Sequence, residues 1–81
     1  MDKNHFILYG TADCHLCEEA TKLIRQIIAD LNLSIVDIMD DDELFTRYEF
    51  SIPVLKSNVT GAEIRWPFSI KAISLFLSTN Q

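Results

Sequence analysis

Cys14 and Cys17 are the residues whose type and spacing point most directly to chemistry, and the chain contains no other cysteine. Only two residues separate them. A Cys-x-x-Cys motif occurs in redox-active dithiols and in zinc sites alike. On the first turn of a helix, two side chains three residues apart are neighbours, so the two sulfurs could close a disulfide. The spacing alone therefore leaves three alternatives: a redox couple, part of a metal site, or two small buried side chains.

The cysteines lie between a predicted strand and a predicted helix, and this placement favours redox chemistry. The apolar run 5–9, HFILY, is typical of a buried strand. From Cys14 onward apolar residues recur every three or four positions, which predicts an amphipathic helix of about 17 residues. Unpaired N–H groups and the helix dipole favour a thiolate at that N-terminus. Cys14, nearer the end, is the predicted nucleophile, and Cys17 is the predicted resolving thiol.

The remaining elements continue an α/β pattern. The β-branched segment 33–39 predicts a second strand, parallel to the first in a βαβ unit, with Asn32 ending the helix before it. We expect a short helix near 41–49, a third strand at 52–56 and a fourth at 63–66, paired as a hairpin. Ser69 is the expected N-cap of a last helix. The predicted order is β-α-β-α-β-β-α.

Composition limits the classes of function. A chain of 81 residues predicts a single domain spanning 1–81. The net charge of −5 argues against a nucleic-acid partner. No apolar stretch approaches the roughly 20 residues of a membrane span, and the N-terminus has no signal-peptide pattern. We therefore expect a cytoplasmic monomer without a membrane partner, a setting in which paired cysteines are usually catalytic or metal-binding.

Four blocks of sequence carry a family resemblance: LYGTADCHLCEEA, VDI, RYEFSIPVL and GAEIRWPF. Together they resemble the thioredoxin-fold glutaredoxins, and more closely a family of small bacterial glutaredoxin-like proteins. The resemblance implies a four-stranded mixed sheet in the order 2-1-3-4, with three helices on its two faces. It also implies that Cys14 is the nucleophile, Cys17 the resolving thiol and Pro53 a cis-proline that faces them.

The resemblance further implies how a substrate would be held. No bound cofactor is needed, and glutathione is a candidate co-substrate. The expected partner is a disulfide-containing protein or a glutathione mixed disulfide. Backbone groups at Ile52 and Pro53 would hold the substrate's extended chain, and Arg47 would approach a glutathione carboxylate.

The chain also departs from ordinary glutaredoxins at several positions that tune the thiolate or hold glutathione. His15-Leu16 lies between the cysteines, where glutaredoxins usually have Pro-Tyr. Thr11 stands where they often have a lysine, and Leu8 stands where thioredoxins have a buried acid. Trp66-Pro67-Phe68 occupies about the region of their Gly-Gly-acidic segment. A protonated His15 would favour the Cys14 thiolate, whereas Asp13 would oppose it. We expect the pKa of Cys14 to lie moderately below the ordinary thiol value of about 8.5.

Two alternatives belong to other functional classes. One is a thioredoxin-fold adaptor whose cysteines are incidental. The other is a metal or iron–sulfur binder, although His5 lies about 9 residues from Cys14, roughly 30 Å along an extended chain. The acidic segment 37–43 lacks the spacing of an EF-hand loop and is interpreted as a solvated helix start.

Overall fold

The computed structural model describes residues 6–27 and 33–80. Its elements follow the predicted α/β order, with one additional 3-10 turn. They are β1 (Phe6–Gly10), α1 (His15–Arg25), β2 (Leu33–Asp37), a 3-10 helix (Ile38–Asp40), α2 (Asp42–Tyr48), β3 (Val54–Ser57), β4 (Glu63–Arg65) and α3 (Ile70–Thr79). None of the helices in these two ranges is long and apolar enough to cross a membrane.

The four strands form one mixed sheet in the order β2-β1-β3-β4, as predicted. β1 is parallel to β2 and antiparallel to β3, and β3 is antiparallel to β4. Leu8 in the middle of β1 lies opposite Ile35 on β2 and Leu55 on β3. β1 and β3 are therefore the central strands, and β2 and β4 are the edges.

The core lies on both faces of the sheet because successive strand side chains point in opposite directions. Leu8 packs with residues of α1 and α3, among them Ile24 and Ile73. Its neighbour Tyr9 belongs to a second cluster with Tyr48 of α2. Thus α1 and α3 cover one face, and α2 covers the other.

α1 is shorter than the sequence pattern predicts. Gln26 donates its N–H to the carbonyl of Leu23, and Ile27 donates to Ile24. Such bonds to the third preceding residue tighten and end the last helical turn. α1 therefore has 11 residues rather than about 17. The remaining predicted span and Asn32 lie outside the described residues.

Capping side chains set the boundaries of the short elements. The predicted second strand ends at Asp37 rather than at 39, because the Asp37 carboxylate accepts the N–H of Met39 and starts the 3-10 helix. Asp41 accepts the N–H groups of Glu43 and Leu44 at the start of α2. Ser69 caps α3 as predicted, through the N–H of Ala72.

Candidate active site

Cys14 and Cys17 form a disulfide at the start of α1, just after β1. Their Cα atoms lie 5.2 Å apart. Asp13, the residue before the pair, has a φ of +64°, in the left-handed region that aspartate tolerates better than most residues. This conformation turns the chain from the strand into the helix, so the β1–α1 connection places both sulfurs at one end of the sheet.

The Cys14 sulfur is the N-cap of α1. Its Sγ accepts a hydrogen bond from the N–H of Cys17 at 3.2 Å. The N–H groups of the first helical turn have no partner within the helix, and they favour negative charge on a group placed there. Cys14 is half-buried, whereas Cys17 is only 7 % exposed. Cys14 is therefore the more exposed of the two cysteines and the one whose thiolate the helix end would stabilise.

Gly10, at the end of β1, packs directly against the side chain of Cys17. The sequence analysis did not single it out. A Cβ at this position would lie 2.9 Å from the Cys17 Sγ. Real Cβ atoms almost never come so close to another heavy atom, so the last residue of β1 must be glycine for Cys17 to sit where it does. The sequence feature that could have indicated it is the position of Gly10 itself, directly after the apolar run 5–9 and before the Cys-x-x-Cys motif.

His15 is the first residue of α1 and is next to Cys14 in the chain. Its side chain is 81 % exposed, and its Nε2 lies 3.8 Å from the carboxylate of Glu19. Lys22 approaches the same carboxylate at 3.9 Å. The structure therefore places His15 at a solvent-exposed position beside Glu19, and its role in tuning the thiolate stays a prediction.

Pro53 lies at the same end of the sheet as the disulfide. Tyr9 near the end of β1 is in register with Val54 at the start of antiparallel β3, so the residue before Val54 is close to the β1–α1 connection. Pro53 is buried, and the Ile52–Pro53 bond is cis. The Trp66–Pro67 bond, about which the sequence suggested nothing, is also cis.

Arg47 lies beside a buried tyrosine pair. The rings of Tyr9 and Tyr48 stack with centroids 4.6 Å apart, and the Tyr48 hydroxyl donates to a carboxylate oxygen of Glu63. Burial and this bond raise the pKa of Tyr48 to about 12, against an opposing effect of Arg47. Burial, with the charge of Glu63, also raises the pKa of Tyr9. The sequence analysis did not single out Glu63.

A cleft of about 330 Å³ opens beside Cys17, between the β1–α1 connection and β2. Its apolar wall includes Leu8 and Ile35. Its polar lining consists of Thr11, Asp13, Glu18, Thr21 and Asp37. The cleft therefore combines an apolar wall with carboxylates next to the disulfide.

Comparison with protein-family models identifies the family of the chain. Residues 5–78 match the family described as Glutaredoxin-like domain (DUF836). The chain belongs to this glutaredoxin-like family. A comparison of the glutaredoxin-like protein with curated proteins found no match.

Solved structures agree with this assignment. A crystal structure of the structural-genomics target protein XcR50 from X. campestris is 31% identical, covers 94% of this glutaredoxin-like chain and 99% of its own, and has a TM-score of 0.80. A solution structure of XcR50 is 30% identical over 95% and 96% of the two chains, with a TM-score of 0.77. Protein Ne2328 from Nitrosomonas europaea, 24% identical over 89% and 88%, has a TM-score of 0.74 and shows the fold alone.

The glutaredoxin-like protein thus has the thioredoxin-like fold and a Cys14–Cys17 pair at its expected position, which supports a redox type of function. Within residues 6–27 and 33–80, no group of three or more His, Cys, Asp or Glu side chains is arranged to hold a metal ion. His5, the histidine considered as a further ligand, lies outside those ranges.

Proposed function

We propose that this glutaredoxin-like protein is a dithiol thiol–disulfide oxidoreductase. The observation that carries the proposal is the position of the Cys14 Sγ, which is bonded to Cys17 and accepts the Cys17 N–H at the start of α1. A buried filler residue has no need of that N–H, and within residues 6–27 and 33–80 no further His, Cys, Asp or Glu side chain completes a metal site with the pair. A nucleophilic thiolate does need that N–H, since it would stabilise the thiolate's negative charge.

The proposed reaction proceeds in two exchanges. The Cys14 thiolate attacks one sulfur of a substrate disulfide, that disulfide breaks, and one substrate thiolate leaves and takes up a proton. Cys17 then loses its proton and attacks the Cys14 sulfur of the mixed disulfide. The second substrate thiol leaves, and the Cys14–Cys17 disulfide remains. Two electrons pass from the protein to the substrate, and no bound cofactor is required.

Burial supports this division of roles between the two cysteines. Cys17 lies on the buried side of α1 and faces Gly10, so a bulky substrate disulfide would reach Cys14 first. Once the mixed disulfide has formed, Cys17 is already at a Cα separation that a disulfide can bridge. The geometry therefore favours rapid release of the substrate over accumulation of the mixed disulfide.

Ile52 and Pro53 are the proposed contacts for the substrate backbone. The Ile52 N–H donates to the carbonyl of Tyr48, and the Pro53 carbonyl accepts the N–H of Trp66. The Ile52 carbonyl is therefore the group at this position that would meet a substrate N–H. Arg47, exposed at the end of α2, is the proposed contact for a substrate carboxylate.

The physiological setting is part of the proposal. We infer that the protein acts as a monomer in the cytoplasm, where paired thiols are kept reduced. Its partners would be disulfide-containing proteins or glutathione mixed disulfides. Glutathione or a separate reductase would return the Cys14–Cys17 disulfide to the dithiol.

An equilibrium titration in glutathione redox buffers tests the proposed function. Free thiols are trapped with acid and an alkylating agent, and the products are weighed by mass spectrometry. We expect one transition from two free thiols to one internal disulfide. Cys17→Ser should accumulate glutathione on Cys14, whereas the matched variant Cys14→Ser should react slowly at the buried Cys17.

Two results would overturn the proposal. One is that both thiols stay free across the whole range of buffers. The other is that the untagged protein retains a stoichiometric metal, or a cluster with visible absorbance, that protects both cysteines from alkylation. If Cys14→Ser also keeps every protein partner of the wild type, the adaptor alternative replaces the redox function.

A further inference from the structure

The cleft beside the disulfide has a specific charge character. Asp13, Glu18 and Asp37 contribute carboxylates to it, from the β1–α1 connection, α1 and the end of β2. None of the described residues that line it is lysine, arginine or histidine. Because the acidic groups come from three different elements, the fold itself gathers negative charge beside Cys17.

The cleft also has an apolar part. Leu8 forms its wall with Ile35, which lies opposite Leu8 on β2 and is 51% exposed. An apolar wall below a carboxylate rim matches a long basic side chain, whose methylene groups pack on apolar surface while the charged head stays with water and acids. A purely apolar ligand would match only the wall, and the carboxylates would repel an anionic one.

We propose that this cleft selects the substrate: it receives a lysine or arginine side chain that lies next to the disulfide of a substrate protein. The proposal rests on the oxidoreductase function proposed above. The substrate cysteine meets Cys14 while the neighbouring basic residue passes over Asp13 into the cleft. The specificity-determining residues are then Asp13, Glu18 and Asp37.

Glutathione disulfide is the informative contrast. Each of its halves carries one net negative charge at neutral pH, so the same carboxylates repel it. The protein should therefore react more slowly with glutathione disulfide than with a basic peptide disulfide. Charges at the rim of a binding surface act mainly on the association rate, and salt screens them.

The test compares two disulfide-linked peptide dimers of equal length, one with lysine and one with glutamate on both sides of each cysteine. Reduced protein is mixed with each dimer, quenched with acid, alkylated and weighed. Each turnover converts the protein dithiol to the Cys14–Cys17 disulfide and one peptide dimer to two thiols. We expect the lysine dimer to react about tenfold faster at low salt, and this ratio to fall in about 0.5 M salt.

The variant Asp13→Asn/Asp37→Asn should lower the lysine-to-glutamate rate ratio at least about threefold. Asparagine tolerates the left-handed φ of Asp13 and keeps an oxygen to accept the Met39 N–H at position 37. The substitutions could also change the fraction of Cys14 that is thiolate, which would change both reaction rates by the same factor. The lysine-to-glutamate rate ratio is insensitive to this change, because the same nucleophile attacks both peptides. Asp42→Asn/Glu43→Gln removes the same charge from exposed sites outside the cleft lining and should leave the ratio unchanged.

The outcomes separate this inference from the proposed function. If neither peptide is reduced, the oxidoreductase function is refuted. If both are reduced at equal rates, or if the control variant lowers the ratio as much as the cleft variant, the cleft does not select basic substrates and the redox function stands.

Discussion

Gly10→Ala tests how closely β1 supports the disulfide. The added Cβ would lie 2.9 Å from the Sγ and 3.1 Å from the Cβ of Cys17. Favourable contacts between heavy atoms of this kind lie near 3.5–4.0 Å. To relieve these close contacts, Cys17 or the end of β1 must therefore move by several tenths of an ångström. Overpacking of this kind typically costs about 1–3 kcal/mol.

The oxidation state of Cys17 determines how the added methyl is accommodated. In the dithiol, the Cys17 sulfur can turn to another staggered rotamer, and only the contact between the two Cβ atoms remains. In the disulfide, the bond to Cys14 holds the sulfur in place. If the sulfur contact contributes about 1–2 kcal/mol in the oxidised state alone, the two-electron midpoint potential rises by about 20–45 mV.

The assay combines glutathione redox titration with urea unfolding of both oxidation states. Gly61→Ala is the matched control. Gly61 has a φ of +81° and open space around its Cβ position, so alanine there is strained by its own backbone alone. It should lose about 1–2 kcal/mol equally in both states and leave the midpoint potential unchanged.

If Gly10→Ala has the same midpoint potential as the wild type, this reasoning is refuted, even if the variant is less stable. Equal destabilisation of the disulfide and the dithiol would mean that the sulfur contact contributes nothing. An unchanged stability in both states would mean that the end of β1 yields freely and that Gly10 does not support Cys17.

Three further predictions concern stability. Tyr48→Phe keeps the stacked ring but loses the bond to Glu63, and should lower the free energy of unfolding by about 1.5–3 kcal/mol in urea at neutral pH. The folded-state pKa of Tyr48 is raised to about 12, so the stability that its hydroxyl contributes is complete below the unfolded pKa of 10.0 and is lost as pH rises toward 12. The wild type should therefore lose stability over this alkaline range, and Tyr48→Phe should lack that part of the loss. Ile24→Ala, at a fully buried core position, should lower the urea-unfolding free energy by about 2–5 kcal/mol, and a smaller loss would show that the core closes around the cavity. Phe50→Ser, at a side chain 94% exposed, should change it by less than about 0.5 kcal/mol, and a larger loss would reveal a contact of Phe50 in solution.

Local patterns were sufficient to predict the position of the cysteines. A buried run that ends in glycine, followed by a helical period, places Cys14 and Cys17 at a helix N-terminus whatever the rest of the chain does. The strand order was different, since no local pattern contains it. It came from the resemblance to a family, and the observed order β2-β1-β3-β4 confirms it.

Element ends were less predictable where a single side chain or bond decides them. The apolar period continues past Arg25, but α1 ends there, because the next N–H groups bond to the third preceding carbonyl. β3 begins at Val54 rather than at 52, since Pro53 has no N–H for the sheet ladder. Periodicity averages over several residues and does not resolve such local events.

The contacts between distant segments could not be predicted. Tyr48 and Glu63 meet through a hydrogen bond between α2 and β4, and neither residue marks the other in the sequence. Asp37 was interpreted as part of a solvated helix start. It does cap a helical turn, but the parallel pairing of β2 with β1 also brings it to the cleft beside Cys17. Such neighbours become visible only once the strands are paired.

The position of β2 at the edge of the sheet has a consequence for handling the protein. Its sequence, LSIVD, is rich in β-branched residues, and Ile35 is half exposed, so the strand can act as a template for pairing with a second chain. At neutral pH the net charge of −5 opposes the approach of two molecules. That repulsion vanishes near the isoelectric point of about 4.7, where edge-to-edge self-association and precipitation become favourable.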